Sequence, residues 1–532
     1  MSILNEKNKK NRKNSQNETK QTRASKKDNL YEEPVLDLDL IQDEVDRRKR
    51  KNAAGGAGGA KKTVRNREFA AVTYAFLALF LVMIGYFSWF VYADSEEVIN
   101  NAYNKRADVY SQRVVRGDII SSDGEVLAYT KTDSDGNETR VYPYGEALAH
   151  AVGYTTEGLS GIESLANIYM LRSHSFILEY LKNEITGNKN EGDDATVTLD
   201  ASLCQTAYDA LGDYDGAVVA IRPSTGEIVA MVSKPSFDPN TLEENYDDYV
   251  EDSDDESVLL NRATQGLYPP GSTFKIFTAL EYLRENDYDD SDYSFVCDGS
   301  VAGDSITIHC YKNSVHGTLS LKQAFAKSCN GAFATIGLGL DISDFTDLVE
   351  GALFNSSLPC VFSYSKSSFA LDSDSTDDEI MHTAIGQGET LVTPYHMALV
   401  ACAIDNGGVL MSPYVLSSID NDEGVNVKTF ESEEYGSLFT EKDAETIKKY
   451  MRKVVTDGTG SDLSGKSYKA YGKTGSAEYS DSDDSTHAWF VGFASKEGYE
   501  DLAIAVIVED SGSGSKYAVP VAEEIFDEYF SE

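Results

Sequence analysis

The 532-residue sequence contains no Cys-x-x-Cys pair, and its seven histidines are too sparse to build a convincing zinc set from six scattered cysteines, so no metal site is expected. Positive charge is also scarce. There are 47 Lys and Arg against 88 Asp and Glu, a formal net charge of -41, and a surface of that sign repels phosphate and excludes nucleic-acid binding through the bulk of the molecule. Two acid-dense stretches lack the spacing and central Gly of a calcium-binding EF-hand loop. These are Glu243–Glu256, with nine acidic residues, and Asp372–Glu379, and both are expected to be solvated surface loops.

What is present begins with an asymmetry. Residues 1–68 hold 18 Lys and Arg against 11 Asp and Glu, a net of +7, and the other 464 residues carry -48. Between the two lies Phe69–Ala93, 25 residues without a charge, long enough to cross a bilayer core of about 30 Å as a helix. Tyr74 near one end and Tyr86, Trp89 and Tyr92 near the other suit the two interfaces. Nine basic residues between Arg47 and Arg67 predict a cytoplasmic N-terminus and an extracytoplasmic remainder. A cleaved signal peptide is disfavoured by the 68-residue preamble and the bulky Phe87–Tyr92 end. Residues 1–68, with the Gly/Ala stretch Ala53–Ala60, are expected to be a disordered tail and linker.

Beyond the apolar run the chain divides again. Residues 94–195 carry hairpin signals at Ile119–Gly124, Val126–Thr130 and Asp135–Asn137, and nothing there reads as catalytic. From residue 196, Ala217–Ile221 and Ile228–Val232 predict a buried hairpin, and His487–Ala494 and Leu502–Val508 predict two further strands. Helical patterns at Thr273–Arg284, Leu321–Cys329, Pro394–Ile404 and Glu441–Val455 lie between them. The fold class is therefore α+β, an antiparallel sheet backed by helices. Cys297 and Cys310 flank a further hairpin; they could close a disulfide or serve as small buried residues.

Three short motifs carry the chemistry. Tyr268-Pro-Pro-Gly-Ser-Thr-Phe-Lys275 is a Ser-x-x-Lys whose prolines and glycine stop any preceding element. Ser272 then falls at a helix start, with Lys275 one turn on along the same face, an arrangement in which an amine can take a hydroxyl proton. Ser363–Lys366 and Ser513–Lys516 repeat the spacing without that context. Ser328-Cys-Asn330 follows 56 residues later, a hydroxyl and a carboxamide suited to proton relay and amide binding. Lys473-Thr-Gly475 occurs once, in the extended segment Tyr468–Glu478, where a cation, a hydroxyl and a missing side chain make a slot for an extended peptide.

Ser-x-x-Lys, Ser-x-Asn and Lys-Thr-Gly in that order are the signature of serine acyl transferases that react with penicillin. From Ala93 onward the chain resembles the monofunctional class B penicillin-binding proteins, the peptidoglycan D,D-transpeptidases. The resemblance is carried by Arg116-Gly-Asp-Ile119, Asp123–Ala128, Tyr142-Pro-Tyr144, His150, Gly153-Tyr154, Gly161-Ile-Glu163, Thr198-Leu-Asp200, Gly216–Pro223, Pro235–Asn240 and Asn261-Arg262. It implies a tail (1–68), a transmembrane helix (69–93), an elongated β-rich pedestal or dimerisation domain (94–195) and a serine β-lactamase-like transpeptidase domain (196–532). It further implies that Ser272 attacks the penultimate D-Ala carbonyl of a stem peptide. Lys275 would be the general base, kept neutral by a nearby Lys473 cation and partial desolvation. Ser328 would relay the proton and Asn330 hold the peptide amide. Lys473 and Thr474 would take the terminal carboxylate, next to Gly475, and the amides of Ser272 and Ser476 would form the oxyanion hole. No cofactor is implied. The implied partners are glycan strands with D-Ala-D-Ala stem peptides, β-lactam antibiotics and a polytopic glycosyltransferase of the shape, division and sporulation (SEDS) type.

Two rival readings use the same motifs. A D,D-carboxypeptidase or β-lactamase would let water attack the acyl-enzyme, but no Glu-x-x-Leu-Asn element follows Ser272 to activate it. A β-lactam sensor or inactive scaffold would need a signalling module or tolerate motif loss, and neither is seen. No segment resembles a glycosyltransferase domain, which disfavours a bifunctional enzyme.

Overall fold

The computed structural model describes residues 47, 67–93, 110–175, 177–251, 258–478 and 486–531. The expected tail and Gly/Ala linker lie, but for Arg47, Arg67 and Glu68, outside the described residues.

The apolar run forms helix α1 (Arg67–Ala93). Within it Phe69–Phe90 is long and apolar enough to cross a membrane, about 33 Å at 1.5 Å per residue. Its large side chains, among them Phe76, Leu81 and Val82, are exposed, as a lipid-facing surface requires.

The polypeptide from Tyr86 onward is a separate compact unit. The hairpin signals after the apolar run become β1 (Ile119–Ile120), β2 (Val126–Thr132) and β3 (Glu138–Val141), joined in a mixed sheet by β4 (Asp194–Val197). A buried ion cluster fixes this region. Glu163, wholly inaccessible, takes Arg116 at 2.6 Å and Arg140 at 2.7 Å, and Arg116 also donates to Asn167 Oδ1. Burial works against the Glu163 charge, but the two guanidiniums outweigh it and hold the carboxyl below its usual range.

The second sheet is antiparallel and begins with the hairpin β5 (Gly216–Ile221) and β6 (Ile228–Lys234). Helix α2 (Lys275–Glu285), short helix α3 (Leu321–Ala326), α4 (Asn330–Gly337) and α5 (Pro394–Asp405) follow. The chain then forms β7 (Leu416–Asp420) and β8 (Asn426–Thr429), helix α6 (Glu441–Asp457), strands β9 (Lys469–Glu478), β10 (Thr486–Ser495) and β11 (Leu502–Val508), and helix α7 (Gly514–Tyr529). The sheet order is β9-β10-β11-β5-β6, so the Lys-Thr-Gly strand β9 is an edge. Every residue of β5 and β11 is buried, which means both faces are covered; α5 packs on β5, β10 and β11, and α7 on β9, β10 and β11.

Two strands were not foreseen in the sequence, and both acid-dense stretches depart from its expectation. Strands β7 and β8 do not join this sheet but extend the first one, in the order β8-β7-β4-β1-β2-β3. The described part of the first acidic stretch is not a loop: Leu242–Glu251 is a helix, because Leu242 and Tyr246 lie four apart and Tyr249 three further on, all in one apolar cluster with Phe237 and Ala149. Part of the second, from Asp377, is the first turn of the helix Asp377–Ala384, capped by Thr376 and Glu379. The cysteines are free thiols, with Cys297 and Cys310 sulfurs 3.7 Å apart, well beyond the roughly 2.05 Å of a disulfide bond.

Candidate active site

Ser272 sits in a 3-10 turn, Gly271–Phe274, that runs straight into α2. Pro269 and Pro270 end the preceding segment, and Trp489 Nε1 of β10 holds it by donating to the Pro269 carbonyl at 3.0 Å. Phe274 anchors the turn from beneath, wholly buried among Phe277, Phe345, Phe354 and Phe369. Gly271 has φ +51° and donates its amide to Gly386, itself at φ +80°. A methyl group on Gly386 would strike the Gly271 carbonyl, so two left-handed glycines lock the turn that presents the serine.

The other two motifs reach the same point from different elements. Ser328 and Cys329 link α3 to α4, and Asn330 is the first residue of α4. Lys473, on β9, is fully buried. Lys275 Nζ lies 3.0 Å from Ser272 Oγ, 3.3 Å from Ser328 Oγ, 3.0 Å from the Ser328 carbonyl and 2.6 Å from Asn330 Oδ1. Lys473 Nζ donates to Ser328 Oγ at 2.9 Å and to the Thr474 carbonyl at 2.8 Å. Ser328 Oγ thus stands between two amines, and Asn330 is fixed by donating Nδ2 to the His309 carbonyl at 2.8 Å.

Burial sets the electrostatics. It pushes the Lys275 amine down to about 7, with the thiols of Cys329 and Cys310 acting in the opposite sense. Lys473 goes well below its ordinary value, first through burial and then through the charge of Lys275. Desolvation, one of the two causes expected from the sequence, is thus the main one at Lys275, and the mutual repulsion of the two ammonium groups adds to burial in disfavouring a charged Lys473.

Of the eight expected residues, Ser272, Lys275, Ser328, Asn330 and Lys473 form one hydrogen-bonded group. Thr474 joins through its carbonyl, while its hydroxyl meets Thr459 Oγ1 at 2.5 Å. Gly475 lets β9 lie against the serine turn: a Cβ there would come within 3.0 Å of the Pro270 carbonyl. Ser476 is next to the same turn, its carbonyl 2.9 Å from where a Gly271 Cβ would stand, and its Oγ accepts from the Gly514 amide. Thr459, outside any motif, was missed. So was Glu509, which accepts from Tyr268 OH at 2.6 Å and Arg262 Nε at 2.9 Å and braces the segment before the serine. A second cluster borders the site: Cys297, Cys310, His316 and Cys329 bring their ligand atoms within 4.8 Å of one another.

The model of the penicillin-binding protein transpeptidase domain matches residues 216–529, more than half of the chain. The chain belongs to this family. Residues 116–195 match the penicillin-binding protein A dimerisation domain. The peptidoglycan D,D-transpeptidase PbpA of Mycolicibacterium smegmatis is 31% identical over 457 residues, covering 78% of this chain and 90% of that protein. Among solved structures, penicillin-binding protein A of M. tuberculosis as a ceftriaxone acyl-enzyme complex superposes with a TM-score of 0.70 at 26% identity, covering 80% of this chain and 99% of that one. The D,D-transpeptidase domain of a peptidoglycan glycosyltransferase from Eggerthella lenta gives 0.69 at 29% identity, covering 78% and 99%.

Proposed function

We propose that this penicillin-binding transpeptidase cross-links peptidoglycan stem peptides through an acyl-enzyme on Ser272, and that β-lactams block it by acylating the same oxygen. The observation that carries the reading is the Lys275 amine, buried and bonded at once to Ser272 Oγ, Ser328 Oγ and Asn330 Oδ1.

In the first half-reaction Ser272 Oγ attacks the carbonyl of the penultimate D-Ala, and neutral Lys275 accepts its proton. The backbone amides of Ser272 and Ser476 receive the developing oxyanion, each such donor contributing about 3–4 kcal/mol in other serine hydrolases. The C–N bond breaks, and the departing D-Ala amine takes a proton by way of Ser328, which reaches Lys275 on one side and Lys473 on the other. Asn330 orients the peptide amide. Thr474 and Lys473 bind the terminal carboxylate, whose negative charge favours the protonated form of Lys473. In the second half-reaction an amine of a neighbouring strand attacks the ester carbonyl and releases Ser272.

The helix α1 serves as a single membrane anchor with the N-terminus in the cytoplasm and the catalytic residues outside, a reading supported by the basic residues before it. Residues 94–195 act as the pedestal and 196–532 as the transpeptidase domain, and the anchor and pedestal meet a polytopic SEDS-type glycosyltransferase that supplies nascent strands. Ser272→Ala is expected to abolish covalent labelling by fluorescent penicillin, and persistent labelling would sink the assignment. Turnover of a D-Ala-D-Ala thioester analogue with and without an amine acceptor separates transfer from hydrolysis.

A further inference from the structure

The middle residue of the Ser-x-Asn motif, Cys329, is fully buried, and its sulfur lies within 4.8 Å of those of two other cysteines. Cys310 Sγ lies 3.7 Å from Cys329 Sγ and 3.7 Å from Cys297 Sγ, and Cys297 Sγ lies 3.3 Å from His316 Nδ1. These residues come from four places. Cys297 ends the strand Phe295–Cys297, Cys310 follows Thr307–His309, His316 precedes Gly317–Leu319, and Cys329 precedes α4. The strand pairing Gly317 with Cys297 brings the first and third together, while the small hairpin Ser300–His309 returns the chain to Cys310.

The spacings fit one ion. A tetrahedral zinc with Zn–S bonds of about 2.3 Å has sulfur–sulfur edges of about 3.8 Å, and a Zn–N bond of about 2.0 Å gives a mixed edge near 3.5 Å. Three soft sulfurs and one imidazole, without a carboxylate among them, select zinc over calcium or magnesium. We propose that Cys297, Cys310, His316 and Cys329 bind one zinc ion that clamps the Ser328–Asn330 loop in place beside the reactive serine. As each Zn–S bond forms, the thiol proton passes to solvent, and neutral His316 binds through Nδ1; no oxidant or reductant is needed.

The clamp acts on positioning. Ser328 is held at φ +56°, a conformation that L residues resist, and Asn330 is tied to the His309 carbonyl, the residue before Cys310. Metal on Cys310 and Cys329 would therefore join both ends of the support that aims Ser328 and Asn330 at Lys275. The metal also explains how such a group of thiols survives outside the membrane, where unligated neighbours oxidise. The location and the acylation readout rest on the proposed function; metal content does not.

The test uses the full chain purified in detergent without chelator. Elemental analysis is expected to find about one zinc per chain, falling at least tenfold in Cys310→Ser and His316→Ala and unchanged in Cys360→Ser, whose sulfur lies outside the cluster. His316 is only half-buried, so its variant guards against simple failure of Cys310→Ser to fold. Cobalt added to the stripped chain should give thiolate charge-transfer absorption that both cluster variants lose. Chelation is expected to slow the limiting rate of penicillin acylation about 10- to 100-fold, with apparent penicillin affinity retained and zinc restoring the rate. Absence of zinc with no cobalt spectrum, binding that survives in both variants, or a Cys310–Cys329 disulfide in the wild-type chain overturns the site. Stoichiometric zinc with an unchanged acylation rate overturns the clamp. Wild-type protein that never labels with penicillin overturns the functional reading instead, whatever its zinc content.

Discussion

Lys275 Nζ lies 3.0 Å from Ser272 Oγ while its own side chain is wholly withdrawn from solvent. Burial brings this amine down to about 7, so on the proposed mechanism the neutral, proton-accepting form grows with pH through that value. The second-order constant for acylation by penicillin is expected to rise about tenfold per pH unit below about 7 and to level off above it. Stopped-flow labelling across pH 5.5–9, a range set about the expected midpoint of about 7, checks this. A flat profile would remove Lys275 from the role of base.

The two amines share Ser328 Oγ, at 3.3 Å from Lys275 and 2.9 Å from Lys473. Ser328→Ala removes the link without altering either lysine. Acylation is expected to fall by about 10²–10⁴, the usual contribution of a positioned proton-transfer group, with thermal stability nearly unchanged. Rates within a factor of about three of wild type would show that protons leave by another route.

Close approach of β9 to the serine turn makes Gly475 sensitive. An added methyl group meets the Pro270 carbonyl and Trp489 Cβ at 3.0 Å and Thr273 Cγ2 at 3.1 Å. Gly475→Ala is expected to destabilise by about 1–3 kcal/mol through overpacking and to slow acylation as the strand is pushed from the turn. Gly386→Ala should be worse, because it also forces a left-handed alanine against the Gly271 carbonyl. Thermal unfolding and penicillin labelling of the two variants, compared side by side, give the ranking.

The ion cluster around Glu163 offers a test remote from catalysis. Glu163→Ala leaves Arg116 and Arg140 without their shared buried partner, at an expected loss of about 3–5 kcal/mol. A lowered thermal midpoint, with the labelling rate of the surviving folded protein preserved, is the expected result. An unchanged midpoint would mean that water reaches both guanidiniums.

The hydrogen-bonded group around Ser272 was legible because each of its parts is a short local word. A serine and a lysine three apart, or a serine and an asparagine two apart, carry their geometry with them once helix, loop and edge strand are recognised. Thr459 had no such word: its meeting with Thr474 exists only because α6 leads back to β9. The grouping of Cys297, Cys310, His316 and Cys329 was hidden for the same reason, its members being 13, 6 and 13 residues apart and joined only by tertiary hairpins. The terminal strands and the β5–β6 hairpin were visible as apolar runs, whereas β7 and β8, mixed in polarity, gave no hint that they complete a sheet begun some 300 residues earlier. The helix at Leu242–Glu251 was hidden by its acids, although its four-and-three spacing of Leu and Tyr was there to be read.

The left-handed backbone at Ser328 sets two physical demands against each other. Glycine is the residue that the conformation itself would choose, relieving about 1–2 kcal/mol, yet glycine deletes the oxygen that touches both lysines. Threonine keeps an oxygen but adds a β-branch where φ is least forgiving. The position is therefore caught between backbone and chemistry: glycine would ease the strain, serine keeps the hydroxyl, and threonine would keep it at a higher conformational cost.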